Sequence, residues 1–119
     1  MVSHGELFLA GYACGIAPAF SVIGGKWKAA LLWELREGPL RYGELKRRMR
    51  GVTEKMLIQQ LRELERDQLV ARHMYPQVPP RVEYQLTEWG VGANVALGPI
   101  ADWGEAYAKA TGRYPRSDP

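Results

Sequence analysis

The sequence predicts a single, mainly α domain, residues 1–119, carrying a small antiparallel β-hairpin. Three observations predict it. Residues 42–70, YGELKRRMRGVTEKMLIQQLRELERDQLV, hold two stretches of helical periodicity separated by a glycine-centred turn. Residues 69–75 and 81–87 read as strands on either side of a proline-rich connection, PQVPP. A chain of 119 residues supports one core and leaves little room for a deep substrate cleft. No internal repeat or low-complexity segment interrupts this pattern.

Taken in order, a short helix over 17–23 begins near Pro18, a residue suited to a first helical turn, and Gly24-Gly25 break it. Residues 26–37, KWKAALLWELRE, form the central helix: Trp27, Leu31 and Leu35 recur at spacing four, and Ala30 and Leu32 widen the stripe. Gly38-Pro39 ends it, because glycine suits a left-handed cap and proline cannot continue the ladder. Leu40-Arg41 adds a short extended piece. Tyr42, Leu45 and Met49 then share one face of the next helix. After the turn at Arg50-Gly51-Val52, Thr53 can cap a helix over 53–67, in which Leu57, Leu61 and Leu64 make the buried stripe. In the second strand Val82, Tyr84 and Leu86 alternate with Arg81, Glu83 and Gln85, so one face is expected buried and the other wet. The prolines of the connection stiffen it into a fixed wing. Thr87-Glu88 caps a further helix, and residues 97–112 supply a last one.

Charge is unevenly placed along the chain. Residues 41–81 hold ten basic and five acidic side chains, whereas the formal net charge of the whole is only +3. A basic middle flanked by neutral to acidic ends is expected where one surface meets a polyanion; the plainer reading is a solvated basic face. The opposite face of the 53–67 helix carries Glu54, Lys55, Ile58, Gln59 and Arg62, mostly in its N-terminal half, where side chains reach base edges when such a helix enters a major groove end first. At the C-terminal end Leu97, Ile100, Trp103 and Tyr107 cover a wider arc than a small core needs, which predicts a subunit interface; residues 1–25 and 97–112 are the expected dimerisation segments.

Other classes are excluded or disfavoured. No run of about 18 apolar residues exists to span a membrane, and the start lacks the basic region of a secretory signal, so a cytoplasmic protein is expected. A lone cysteine, Cys14, cannot form an internal disulfide or a metal cluster, and His4 and His73 have no ligand partner at useful spacing. The chain has no Ser/His/Asp set, glycine-rich phosphate loop, HExxH or CxxC, so neither an enzyme nor a cofactor protein is expected.

Four segments in colinear order, IGGKW (23–27), GPLRYGELKRR (38–48), TEKMLIQQLRELE (53–65) and YPQVPPRVEYQLTEWG (75–90), resemble the HxlR-type branch of the winged helix-turn-helix transcriptional regulators, over about residues 14–103. The resemblance implies a dimeric DNA-binding regulator related in architecture to MarR-type proteins, with a recognition helix in the major groove and a wing on the backbone or minor groove. Cys14 stands at the family's sensor-thiol position, thirteen residues before the tryptophan of IGGKW, although family members commonly follow that cysteine with proline and this chain has Gly15. The trigger implied is then the Cys14 thiol, answering to oxidation or electrophiles, or, with Cys14 an inert buried cysteine, a small ligand held between the DNA-binding core and the dimer helices.

Within that reading, Gln59 suits adenine and Lys55 guanine, while Ile58 either touches a thymine methyl or completes the core. Thr53 is first a cap and then a phosphate contact. Arg41, Lys46, Arg47, Arg50, Arg72 and Arg81 are expected to position the protein on phosphates, about half of them being ordinary surface charges. The second class of function is a winged-helix module that binds another protein, with its basic face incidental.

Overall fold

The computed structural model describes residues 14–113, so most of the N-terminal dimerisation segment foreseen over 1–25 lies outside the described residues. The elements follow as α1 (Ile16–Ile23), α2 (Lys28–Glu34), β1 (Leu40–Arg41), α3 (Tyr42–Arg48), α4 (Glu54–Arg66), β2 (Val70–Tyr75), β3 (Arg81–Leu86) and α5 (Glu88–Thr111). No described helix is long and apolar enough to cross a membrane.

Helix α2 is shorter than the periodicity of 26–37 suggests. Arg36 N–H donates to the Trp33 carbonyl and Gly38 N–H to that of Leu35, so the last turn tightens to three-residue spacing before Pro39. Helix α4 begins where Thr53 predicts: its Oγ1 accepts from the Met56 amide at 3.1 Å. It ends at Asp67, and Gln68 then takes a left-handed conformation at φ 65°. The Leu69 amide reaches back to Leu64 and that of Gln68 to Glu65, satisfying carbonyls at the helix end.

The expected hairpin is part of a three-stranded sheet of order β1-β3-β2. Val70 to Tyr75 pair antiparallel with Leu86 to Arg81, and Leu40 and Arg41 pair with Tyr84 and Glu83. This central position of β3 changes its burial. Tyr84 is buried as expected, but Val82 and Leu86 are half-buried, and Arg81, Glu83 and Gln85 are half-buried instead of wet. The outermost residues, Leu69 and Thr87, leave the strands to form a joint. Thr87 N–H donates to the Leu69 carbonyl, Thr87 Oγ1 donates to the Gln68 carbonyl at 2.6 Å, and the same oxygen accepts from the Gly90 amide at 3.1 Å.

The two C-terminal helices foreseen in the sequence are one, the 24 residues of α5, about 36 Å long at helical rise. Pro99 sits inside it without ending it. Val95, whose carbonyl loses its amide partner at Pro99, lies with it on the exposed side, where water can take that bond. On the other side Ala93 and Leu97 pack on the core, and Asn94 Nδ2 donates to the Leu32 carbonyl at 2.6 Å, tying α5 to α2.

The core is built from Leu31, Leu32 and Leu35 of α2, Leu45 and Met49 around α3, Leu57, Leu61 and Leu64 of α4, and Val70 and Tyr84 of the sheet. Each such leucine contributes roughly 1.5–3 kcal/mol by leaving water. One charged residue joins them. Lys28 is buried and its Nζ lies 2.6 Å from Glu63 Oε1. The Lys28 hydrogen bond, followed by that from Gln59, holds the Glu63 carboxyl below its ordinary range. A depressed carboxyl pKa contributes stability above the unfolded value, near 4.5, that is lost as pH falls through the folded value. Lys28→Met, a buried swap that keeps packing, should therefore flatten the fall of melting temperature between about pH 5 and 3. Wild-type and variant curves running parallel in that window would show that the pair has no part in acid sensitivity.

Candidate nucleic-acid interface

Helices α3 and α4 are joined by a turn whose geometry depends on Gly51. Its φ of 86° disfavours any side chain, and the position of a Cβ there would touch the Trp27 ring at 3.7 Å. Val52 next to it is buried, which anchors the turn in the core. With Leu57, Leu61 and Leu64 turned inward, Glu54, Lys55, Gln59 and Arg62 are exposed, and Ile58 is half-buried. Gln59 Nε2 donates to Glu63 Oε2 at 3.2 Å, so the foreseen adenine reader is already engaged within its own helix.

The wing rises from β2 and β3, with Val78 fully exposed at its tip. At its base the Arg81 guanidinium lies over the Tyr75 ring, 4.0 Å from the centroid, and its Nε is 3.6 Å from Glu83 Oε2, an ion pair too long for a hydrogen bond. Arg81 is thus held in place before any ligand arrives.

Between α4 and the base of the wing lies an open cleft of about 710 Å³. It brings together Arg41, Glu54, Ile58, Arg62, Arg72 and Arg81 of the predicted residues. Lys55 and Gln59 flank a second groove on the outer face of α4, shared with Glu54, Ile58 and Arg62. Lys46 and Arg47 stand on α3, Lys46 half-buried and Arg47 exposed, and they line neither groove. Thr53 is exposed and occupied as a cap.

Tyr42 is the residue of this cleft that sequence reasoning missed. Its spacing with Leu45 and Met49 marks it as a core residue, and nothing in the pattern shows that its ring tip reaches the cleft. The hydroxyl is buried without a hydrogen-bond partner, and burial, then the Glu54 charge, raise its pKa above the ordinary phenol value.

On α5 the foreseen interface residues separate. Leu97 packs against its own chain's core, whereas Ile100, Trp103 and Tyr107 are exposed. The Trp103 and Tyr107 rings stack at 5.2 Å with 16° between planes, making a flat apolar surface. The Cα radius of gyration, 16.5 Å, exceeds the roughly 13 Å of a compact hundred-residue domain, as a projecting helix requires. Cys14 is half-buried immediately before α1, at φ 51°, and is a free thiol. No group of three or more metal-ligating side chains occurs among the described residues.

The family model for the HxlR-like helix-turn-helix matches residues 22–112. The HTH-type transcriptional regulator YkvN of Bacillus subtilis is 49% identical over 106 residues, spanning 87% of this chain and 90% of that protein. A transcriptional regulator of the MarR family from Enterococcus faecalis superposes with a TM-score of 0.73 at 44% identity, covering 84% of this chain and 91% of the other. The redox regulator HypR in its reduced form superposes with a TM-score of 0.78 at 40% identity, covering 83% and 98% respectively.

Proposed function

Since the chain belongs to the HxlR-like helix-turn-helix family, we propose that it binds a pseudo-palindromic DNA site as a homodimer, reading bases with α4 and holding phosphates with the cations around the wing. It is a transcriptional regulator of the helix-turn-helix type, not an enzyme. The observation that carries the finer reading is the convergence of Arg41, Arg62, Arg72 and Arg81 on one cleft beside the exposed N-terminal half of α4. Such a face combines position-setting charge with side chains able to reach base edges.

Pairing is supported by the exposed apolar stripe of Ile100, Trp103 and Tyr107 on a projecting helix. Two recognition helices related by a two-fold axis would meet half-sites about 34 Å apart, or a multiple of that. A thiol response would reside at Cys14, and likeness to the redox regulator HypR supports that trigger.

Selection of bound duplexes from a random pool, followed by anisotropy titration, tests the assignment. Gln59→Ala should relax base preference at one position per half-site, by about 1–3 kcal/mol of discrimination. Arg81→Ala should weaken binding to all duplexes alike. A chain that retains no duplex even at low salt would sink the reading and leave the protein-interaction module in its place.

A further inference from the structure

Helix α4 has two flanks, and four arginines gather beside the one that faces the wing. On that flank Glu54, Ile58, Arg62 and Glu65 follow one another at helical spacing along the cleft. Glu63 projects on the other flank, and its ion pair with Lys28 brings the start of α2 there. Two residues earlier, Lys26 is exposed, with its Nζ 4.9 Å from the centroid of the Trp27 ring. The far edge of the same ring reaches the turn that leads into α4, where a Cβ on Gly51 would touch it at 3.7 Å. Lys26 is therefore carried on an indole shelf close to the N-terminal end of α4. Arg50, one residue before Gly51, is exposed in that turn. Neither cation has a carboxylate partner among the described residues.

We propose that Lys26, held on Trp27, is a phosphate-binding site on the flank of α4 away from the wing, so that the helix is anchored to both strands of a duplex. The reason is one of width. An α-helix with its side chains is about 10–12 Å across and a major groove about 12 Å wide, so a helix in the groove has a sugar–phosphate backbone along each flank. The cations around the wing meet one of these backbones. The other passes beside the turn at Gly51, where Lys26 supplies a charge with no acidic neighbour to compete for it. Stacking on the indole face also restrains a side chain that otherwise gives up much rotamer freedom on binding. Contacts on both sides stop α4 from rolling about its own axis, and so fix which of its side chains face the bases. The site rests on the reading of α4 as the helix that enters the groove.

Replacing single phosphates by neutral methylphosphonates along each strand of a selected duplex, with the full chain's affinity read by anisotropy, maps the two anchors. Wild-type protein should show two clusters of sensitive phosphates in each half-site, one on either strand. Lys26→Gln should make one cluster insensitive and leave the other, while Arg81→Ala does the converse. Lys26→Gln should also weaken every duplex roughly tenfold per half-site in about 0.1 M salt, the counterion term of one phosphate, and Lys26→Arg should restore most of that loss. Lys109→Gln, an equal charge change at an exposed position of α5, is the control and should leave affinity unchanged. Unchanged affinity in Lys26→Gln, an equal loss in Lys109→Gln, or the same cluster silenced by Lys26→Gln and Arg81→Ala would each overturn the proposal. If wild-type protein binds no duplex at low salt, the DNA reading fails and the anchor with it, a result distinct from binding that ignores Lys26.

Discussion

Affinity for duplex DNA is expected to fall about a thousandfold when salt is raised from 50 to 200 mM. Six cations per chain, Arg41, Lys46, Arg47, Arg50, Arg72 and Arg81, are proposed as phosphate contacts, of which about half are expected to engage and the rest to be ordinary surface charges. A homodimer then neutralises about six phosphates. Counterion release gives a slope of affinity against salt, on logarithmic axes, near −0.9 per phosphate, or about −5 in total, and a fourfold rise in salt is then worth roughly three powers of ten. Anisotropy titrations at four or five salt concentrations read the slope directly. Arg81→Ala should reduce it by about one per site it occupies. The ion pair with Glu83 and the contact with Tyr75 fix this arginine in advance, so its removal costs a positioned contact and not a wandering charge. A slope near zero would mean that the basic face meets no polyanion.

Gly90→Ala is expected to lower the melting temperature by roughly 10–20 °C, although helix propensity taken alone argues for a gain. Alanine in a helix interior is favoured over glycine by about 0.8–1.0 kcal/mol. Against this, a methyl group on Gly90 would fall well inside contact distance of the Leu69 carbonyl oxygen and lie 3.1 Å from Leu86 Cδ2. That carbonyl cannot withdraw freely, because it accepts from the Thr87 amide at 3.1 Å. Overpacking of a buried position costs typically 1–3 kcal/mol and more where backbone must move, so the net effect is a loss of about 3 kcal/mol. Each kcal/mol moves the midpoint by about 4–8 °C in a domain of about 60–100 residues and about 2–4 °C in one of about 150–250, hence roughly 3–6 °C here. Thermal unfolding followed by circular dichroism distinguishes the two signs. A raised midpoint would show that the joint between the sheet and α5 yields easily.

The parts of the molecule legible in the sequence are those whose physics is local. The leucine stripe of α4, the Thr53 cap and the strand pair around the prolines depend on neighbours a few positions away, and each stands where periodicity put it. What periodicity could not show depends on distant partners. No sequence feature marks Lys28 for burial until Glu63 is seen beside it, and the second strand reads as half of a hairpin with one wet face until β1 is seen paired along its other edge. The break foreseen before residue 97 is absent, and Pro99 sits inside the single helix because the hydration of a freed carbonyl has no sequence signature. Of the interface, the exposed face of α4 and the clustering of four of the arginines could be foreseen from spacing and charge. The tip of Tyr42 could not, since a tyrosine on an apolar face is ordinarily just packing.

Lys28, Glu63 and Gln59 form a continuous chain from the core to the outer face of α4. A free glutamine side chain loses up to about 2 kcal/mol of rotamer freedom when it is fixed on a target. Here Glu63 already restrains it, while the second amide hydrogen and the carbonyl oxygen of Gln59 stay available, the pair of groups that an adenine edge engages. On the proposed reading of α4 as the base-reading helix, its selectivity is therefore adjustable from behind. Changes at Glu63 or Lys28, neither of which needs to touch DNA, can retune which base is preferred, giving relatives of this chain a way to drift toward new target sites while the exposed face stays the same.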